Sequence, residues 1–263
     1  MPVPSLPLDI VFEIVSHFKE EEQTADKIKL HEVEGKSLSL VCKAWKVVGQ
    51  ALRWTSVDVA AAQLPPLVKH FTLYPHLASH VQFFRVDGEG LSAGTTTVGF
   101  SEHSFEALLE FLPTLVNLQC FSIRGEMETR LPQILRASSR LERLEEMGLF
   151  ELSTFDCSND FISSFQAGFD KLRSLTFFAL STAPSTTPPT SSSSGSKKLS
   201  LECLKLSWTS PSLHDAQLAD AFLSMVDPTS LSTVILDYVD RNSGLRCRVY
   251  NFNRVAFDLP EPT

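Results

Sequence analysis

One apolar pattern recurs seven times between residues 54 and 236, and it constrains the fold more than any other feature of the 263-residue sequence. In each copy an apolar residue is followed by two other residues, a second apolar residue, one other residue and a third apolar residue. The last two apolar positions alternate as they do in a strand that buries one face. The copies are Trp54/Val57/Val59, Val81/Phe84/Val86, Leu118/Phe121/Ile123, Leu144/Met147/Leu149, Leu175/Phe178/Leu180, Leu201/Leu204/Leu206 and Leu231/Val234/Leu236.

Most intervals between the copies contain a segment with helical periodicity, at 65–73, 101–112, 131–139, 159–169 and 214–226. Strands and helices in repeated alternation predict a parallel sheet. The separation of the middle positions runs from 26 residues (121 to 147) to 37 residues (84 to 121). It resembles the period of about 20–29 residues of leucine-rich repeats, whose units stack only on their neighbours. We therefore expect an α/β fold, a leucine-rich-repeat-like solenoid with a parallel sheet. A generic α/β domain is the alternative, because the consensus is loose.

Side chains alternate between the two faces of a strand, so the middle residue of each copy, including Phe178, is expected to point into the core. The neighbouring residues are expected to line an open face of the sheet. They mix aromatic groups with charges of both signs, as protein interfaces do. The predicted partner-binding residues are Phe83, Arg85, Asp87, Ser122, Arg124, Glu146, Phe150, Phe177, Lys205, Ser207 and Asp237.

Two segments fall outside the strand–helix pattern. Residues 181–198 are rich in Ser, Thr and Pro and cannot build a core, so we expect a disordered insert on the surface. The insert offers hydroxyl groups for phosphorylation, although such segments usually act only as flexible loops. Near the C-terminal end, residues 242–244 (Asn-Ser-Gly) predict a hairpin that caps the last unit.

The N-terminal part of the sequence predicts two helices, at 6–18 and 37–52, joined by a highly charged connection at 19–36. The second helix is apolar on more than one side. Two short helices cannot bury that much apolar surface by themselves. An uncovered patch usually marks a protein interface. The alternative is that the patch packs on the rest of this chain.

The segments LPLDIVFEIVSHF and LSLVCKAWKVVGQALRW resemble the F-box motif over residues 5–58. The connection at 19–36 is longer than this family usually has. The resemblance implies a helical module that binds a Skp-type adaptor and so joins a cullin–RING (SCF) ubiquitin ligase. The residues it assigns to adaptor binding are Leu6, Pro7, Ile10, Val11, Ile14, Val15, Leu40, Val41, Cys42, Trp45, Val48 and Trp54.

Together, the resemblance and the repeat imply two domains: an F-box-like helical module at 5–58 and a leucine-rich-repeat-like domain at 55–259. Their combination is similar to the large fungal sets of such proteins. The implied function is a non-catalytic substrate receptor, which holds a target protein near the ubiquitin-conjugating enzyme. The alternative is a repeat-based interaction scaffold that does not engage a ligase.

Other function classes find little support in the sequence. The net charge of −8 argues against a nucleic-acid partner, and no apolar run approaches the ~18–20 residues of a membrane span. No nucleotide-binding or hydrolase motif occurs, and His76 and His80 have helical spacing but lack the Glu of a zinc-protease motif. We expect no enzyme activity, metal or cofactor. The N-terminal segment has no basic start, and the five cysteines are scattered, so we expect reduced thiols in the cytoplasm or nucleus.

Overall fold

The computed structural model describes residues 43–88, 100–125, 130–152, 165, 168–179, 198–208, 222–223, 225–240 and 244–251. The helices are α1 (Lys43–Thr55), α2 (Leu64–Leu73), α3 (Pro75–Ala78), α4 (Glu102–Phe111) and α5 (Leu131–Ser138), with 3-10 turns at Ala61–Gln63 and Leu112–Thr114. The strands are β1 (Ser56–Ala60), β2 (Phe83–Asp87), β3 (Cys120–Arg124), β4 (Glu146–Leu152), β5 (Ser174–Ala179), β6 (Cys203–Trp208), β7 (Thr233–Asp240) and β8 (Gly244–Asn251).

The eight strands form one sheet in which each strand pairs with the next one in sequence, from β1 to β8. The first seven strands are parallel to one another. β8 is antiparallel to β7 and occupies the C-terminal edge, as the hairpin predicted around residues 242–244 requires. The predicted α/β class with a parallel sheet is confirmed.

Two rows of apolar side chains run across the sheet and face the helices. The middle residues of the copies align in the first row, and the third residues align in the second. The first row is Val57, Phe84, Phe121, Met147, Leu175, Leu204 and Val234, and the second is Val59, Val86, Ile123, Leu149, Phe177 and Leu206, with the backbone of Leu236 paired to that of Leu206.

The fifth copy corrects the register predicted from the sequence. Leu175, not Phe178, pairs with Met147 and with Leu204. The apolar triplet of this unit is therefore Leu172/Leu175/Phe177, three residues earlier than predicted. The segment LRSLTFFAL carries so many apolar residues that both registers satisfy the pattern. Since a shift by an odd number of residues exchanges the faces of a strand, Phe177 and Phe178 trade places.

Helices α2, α4 and α5 supply the other side of the core. Each presents an apolar stripe of the kind that the periodicity predicted, and their bounds differ from the prediction by a residue or so. The Phe111 ring of α4 lies 5.3 Å from that of Phe84 and 4.9 Å from that of Phe71. Ser101 caps α4 by accepting a hydrogen bond from the Ser104 backbone N–H at 3.1 Å. The helices thus cover one face of the sheet.

α1 carries a small apolar cluster of its own, apart from the main core. Val48 and Leu52 are 1% and 2% exposed, and Trp45 packs against them. Trp54, by contrast, packs on the main core, with its ring 5.5 Å from His70 and 5.0 Å from Phe71. The chain passes directly from Thr55 at the end of α1 into β1, so α1 is joined to the sheet without a linker.

Several predicted segments lie outside the described residues. These are the first helix (6–18), the connection 19–36 and, apart from Lys198, the insert at 181–198. The helices predicted at 159–169 and 214–226 are described only in part, with helical backbone at Phe165, Phe222, Leu223 and Met225. Among the helices that the structure does describe, none is long and apolar enough to cross a membrane.

Candidate functional site

The open face, which is the sheet face opposite the helices, carries three rows of side chains. The first row is Ser56, Phe83, Cys120, Glu146, Ser174, Cys203 and Thr233; the middle row is Asp58, Arg85, Ser122, Gly148, Thr176, Lys205 and Ile235; the last row is Ala60, Asp87, Arg124, Phe150, Phe178 and Ser207, and the backbone of Asp237 pairs with that of Ser207 at its end. All of the predicted partner-binding residues except Phe177 occupy these register positions, Asp237 by its backbone pairing alone.

Two of the predicted residues do not present a contact surface. Phe177 is fully buried on the helix side of the sheet, where its ring lies 5.2 Å from that of Phe222, so its prediction as an open-face residue is wrong. Ser207 does lie in the last row, but it is only 4% exposed. Phe178 takes the place on the open face that Phe177 was expected to have, and it is partly exposed.

A pocket of about 290 Å³ opens on this face between β2, β3, β4 and β5. It brings together four of the predicted partner-binding residues and Phe178, which the register predicted from the sequence places in the core. Neighbouring strands lie about 4.8 Å apart, so residues paired across them are in reach of one another. The described residues that line the pocket are Arg85, Ser122, Arg124, Phe150 and Phe178.

Gly148 shapes the pocket because it has no side chain. It lies between Ser122 and Thr176 in the middle row, and the ring of Phe150 leans back across it. A Cβ atom at position 148 would lie 2.5 Å from Cε2 of Phe150 and 3.3 Å from Oγ of Ser122. The pairing of β4 with β5 also shifts between Phe150 and Leu152, and such irregularities re-aim side chains. The spacing of the apolar residues does not indicate this role for a glycine.

The charges around the pocket form an alternating pattern. Nε of Arg85 donates to Oδ1 of Asp87 at 3.3 Å, and both side chains are a little more than one-third exposed. In the strand register, Asp58 lies opposite Arg85 on the neighbouring strand, and Asp87 lies opposite Arg124. Burial raises the pKa of Asp58, the positive charge of Arg85 opposes this, and the negative charge of Asp87 adds to it.

The pocket can bind an anion through its guanidinium groups. A guanidinium has five N–H donors, and the hydrogen bond to Asp87 engages only the Nε–H of Arg85. No carboxylate is among the described residues that line the pocket. Two phenylalanine rings stand beside these donors. The arrangement therefore suits a group that combines a negative charge with an apolar part.

Cys120 lies in the first row beside Glu146, and its chemistry argues against a nucleophile. Burial raises the pKa of the Cys120 thiol to about 12, and the charge of Glu146 and its hydrogen bond with the thiol add to this effect. The thiol donates to the carboxylate and stays protonated near neutral pH, whereas reactive cysteines need the thiolate. Within the described ranges, no group of three or more potential metal ligands occurs, and His76 and His80 belong to none.

Only three of the residues assigned to adaptor binding are described: Trp45, Val48 and Trp54. Val48 is buried in the α1 cluster, and Trp54 packs on α2. These contacts give both residues a packing role within the chain. Their contact with an adaptor stays a prediction. The other nine lie outside the described residues: Leu6, Pro7, Ile10, Val11, Ile14, Val15, Leu40, Val41 and Cys42.

Comparison with known proteins assigns no family to the chain. No protein-family model matches it, and no curated protein matches it significantly. The resemblance of residues 5–58 to the F-box motif therefore rests on the sequence pattern quoted above.

Proposed function

We propose that this chain is a non-catalytic substrate-receptor subunit of an SCF-type cullin–RING ubiquitin ligase. Residues 5–58 bind a Skp-type adaptor, and the domain at 55–259 binds a target protein. The observation that carries the proposal is the open face: seven parallel strands in sequence order present partly exposed aromatic and charged side chains on one surface. Such a mixture is typical of protein-binding surfaces.

The order of the strands supports a leucine-rich-repeat-like solenoid for this domain. Each strand pairs with its sequence neighbours, and the strand–helix units follow one another along the sheet. With the corrected register, the aligned core residues of the fifth unit are 28 residues from Met147 (147 to 175) and 29 from Leu204 (175 to 204). These spacings fit the repeat period of about 20–29 residues better than the predicted ones did.

The junction between α1 and β1 supports a rigid receptor. Trp54 packs on His70 and Phe71, and Oγ1 of Thr55 donates to the Ala51 carbonyl at 2.8 Å. A receptor acts by holding its target in a fixed position near the conjugating enzyme. A helix that runs directly into the first strand meets that requirement, since a flexible linker would spread the target over many positions.

The proposal is tested by co-expression with the Skp-type adaptor of the source organism, followed by size-exclusion chromatography. We expect an equimolar complex with the native chain. Val41→Glu and Trp45→Ala are expected to abolish it. Lys46→Ala is the control, because Lys46 lies on the exposed side of α1. Circular dichroism of each variant checks that the chain stays folded. A native chain that elutes alone contradicts the proposal.

One observation favours a second function, a repeat-based scaffold without ligase engagement. The stripe of α1 that includes Val48 and Leu52 is buried, so part of the apolar surface that the F-box resemblance assigns to the adaptor is already covered. The same chromatography separates the two functions. A stable monomer that does not bind the adaptor supports the scaffold function.

A further inference from the structure

We propose that the pocket of the open face binds an acidic segment of the target, in which a Glu or Asp carboxylate stands next to an apolar side chain. This inference rests on the proposed function, since it names the kind of segment that the target-binding face takes. The carboxylate lies between Arg85 and Arg124, and the apolar neighbour packs on Phe150 and Phe178.

The charge of the pocket differs from that of the chain. The chain has a net charge of −8, yet two arginines and no carboxylate line the pocket among the described residues. The guanidinium group matches the planar geometry of a carboxylate and can donate two parallel hydrogen bonds to it. Asp87 holds Nε of Arg85, which orients the rest of that guanidinium group.

The apolar wall of the pocket specifies the second half of the ligand. Phe150 and Phe178 pair across β4 and β5, so their side chains stand side by side in the last row. Gly148 leaves the space that the Phe150 ring occupies. Aromatic and arginine side chains in a partly closed pocket are the residue types that dominate binding energies at protein interfaces.

The pocket volume limits the ligand to one or two side chains, and the neighbouring charges favour a peptide carboxylate over a phosphate group. The volume of about 290 Å³ lies just below the range of about 300–1,000 Å³ for small-molecule pockets, so it suits one or two side chains. Asp58 and Asp87 lie opposite the two arginines on neighbouring strands. Their negative charges oppose a phosphate, with about −1.5 to −2 charges, more strongly than a carboxylate with one.

A selection from a random peptide library displayed on phage, with the purified full-length chain as bait, tests the inference. We expect the selected peptides to be enriched in Asp or Glu next to an apolar residue. A parallel selection on Arg85→Gln/Arg124→Gln is expected to lose the acidic enrichment. Lys69→Gln is the control, because it removes a positive charge from the exposed side of α2, away from the open face.

A selected peptide then serves as a fluorescent probe in an anisotropy titration. Replacing its acidic residue by Gln is expected to weaken binding about tenfold, as is typical of losing a charge-assisted hydrogen bond. A tighter fit of the phosphoserine version would instead identify a phosphopeptide site. That result overturns the inference, as do a lack of acidic enrichment, the same enrichment on the double variant, or a failure to select any peptide.

The outcomes separate this inference from the proposed function. The peptide preference is measured on the chain without an adaptor, and the adaptor complex is measured without a peptide. A chain that does not bind the adaptor but prefers acidic peptides contradicts the ligase function and supports the acidic-peptide pocket. A chain that binds the adaptor but shows no preference for acidic peptides supports the ligase function and contradicts the acidic-peptide pocket.

Discussion

At the scale of single residues, Gly148 determines the shape of the pocket because it has no side chain. Gly148→Ala places a Cβ atom 2.5 Å from the Phe150 ring, so the ring must move. We expect a loss of about 1 kcal/mol in the free energy of unfolding. Overpacking costs about 1–3 kcal/mol, and the lower entropy of the unfolded chain offsets about 0.4–1 kcal/mol of that cost. Urea denaturation measures the change.

A double-mutant cycle identifies the cause of that loss. In a Phe150→Ala background the ring is gone, so Gly148→Ala is expected to be neutral or slightly stabilising. The same cost in both backgrounds would show that the substitution acts on the strand and not through Phe150. The cycle thus tests whether the glycine is required by the ring that lines the pocket.

Phe177 and Phe178 are adjacent in the chain and chemically identical, yet they lie on opposite faces of β5. Phe177→Ala is expected to cost about 3–5 kcal/mol, as for a fully buried ring. Phe178→Ala is expected to cost about 1 kcal/mol or less, because Phe178 is partly exposed on the open face. Guanidinium denaturation of the pair provides the comparison, and each variant is the control of the other. The opposite order would support the register in which Phe178 is the core residue.

This pair also shows how far residue spacing determines the fold. In six of the seven copies the strand pairing aligns the middle and third residues of the predicted triplet. In the fifth copy the apolar residues are too dense, and only packing against Phe222 and the neighbouring strands selects the register. The pocket could not be predicted, because it depends on an absent side chain at 148 and on the path of one ring across it.

At the scale of secondary-structure elements, periodicity predicts helices that are long enough to repeat it. α2, α4 and α5 were predicted within about one residue at each end, whereas the four-residue α3 is too short to show a period. α1 begins at Lys43 among the described residues and ends at Thr55, three residues beyond the predicted end at 52. The additional residues include Trp54, whose contacts with α2 extend the helix up to the sheet.

Trp54→Ala tests how firmly α1 is joined to the sheet. The substitution removes the ring contacts with His70 and Phe71, so we expect faster amide hydrogen exchange in α1 and a loss of about 2 kcal/mol, below the cost for a fully buried Trp. Arg53→Ala is the matched control. Arg53 is exposed and lies 5.4 Å from the Trp54 ring, a contact worth about 0.5–1 kcal/mol at such sites. Unchanged exchange in α1 with Trp54→Ala would contradict the rigid junction.

At the scale of the whole molecule, the sheet order is compatible both with a repeat stack and with a single cooperative domain. Each strand contacts its sequence neighbours in the sheet. In a repeat stack, the stability is the sum of unit and interface terms. A defect near one end should therefore remain local. In a single α/β domain, by contrast, a core defect lowers the stability of every strand together.

Leu204→Ala tests this difference. Leu204 is fully buried in β6 and aligns with Leu175 of β5 and Val234 of β7, so its truncation is expected to cost about 2–5 kcal/mol. For a stack, hydrogen exchange monitored by mass spectrometry should accelerate in β5, β6 and β7 and stay unchanged in β1 and β2. Val57→Ala, at the other end of the same buried row, should give the mirror result. Uniform acceleration by both variants would identify one cooperative domain. The open face would then be a single rigid surface, not a series of units that can loosen separately around a target.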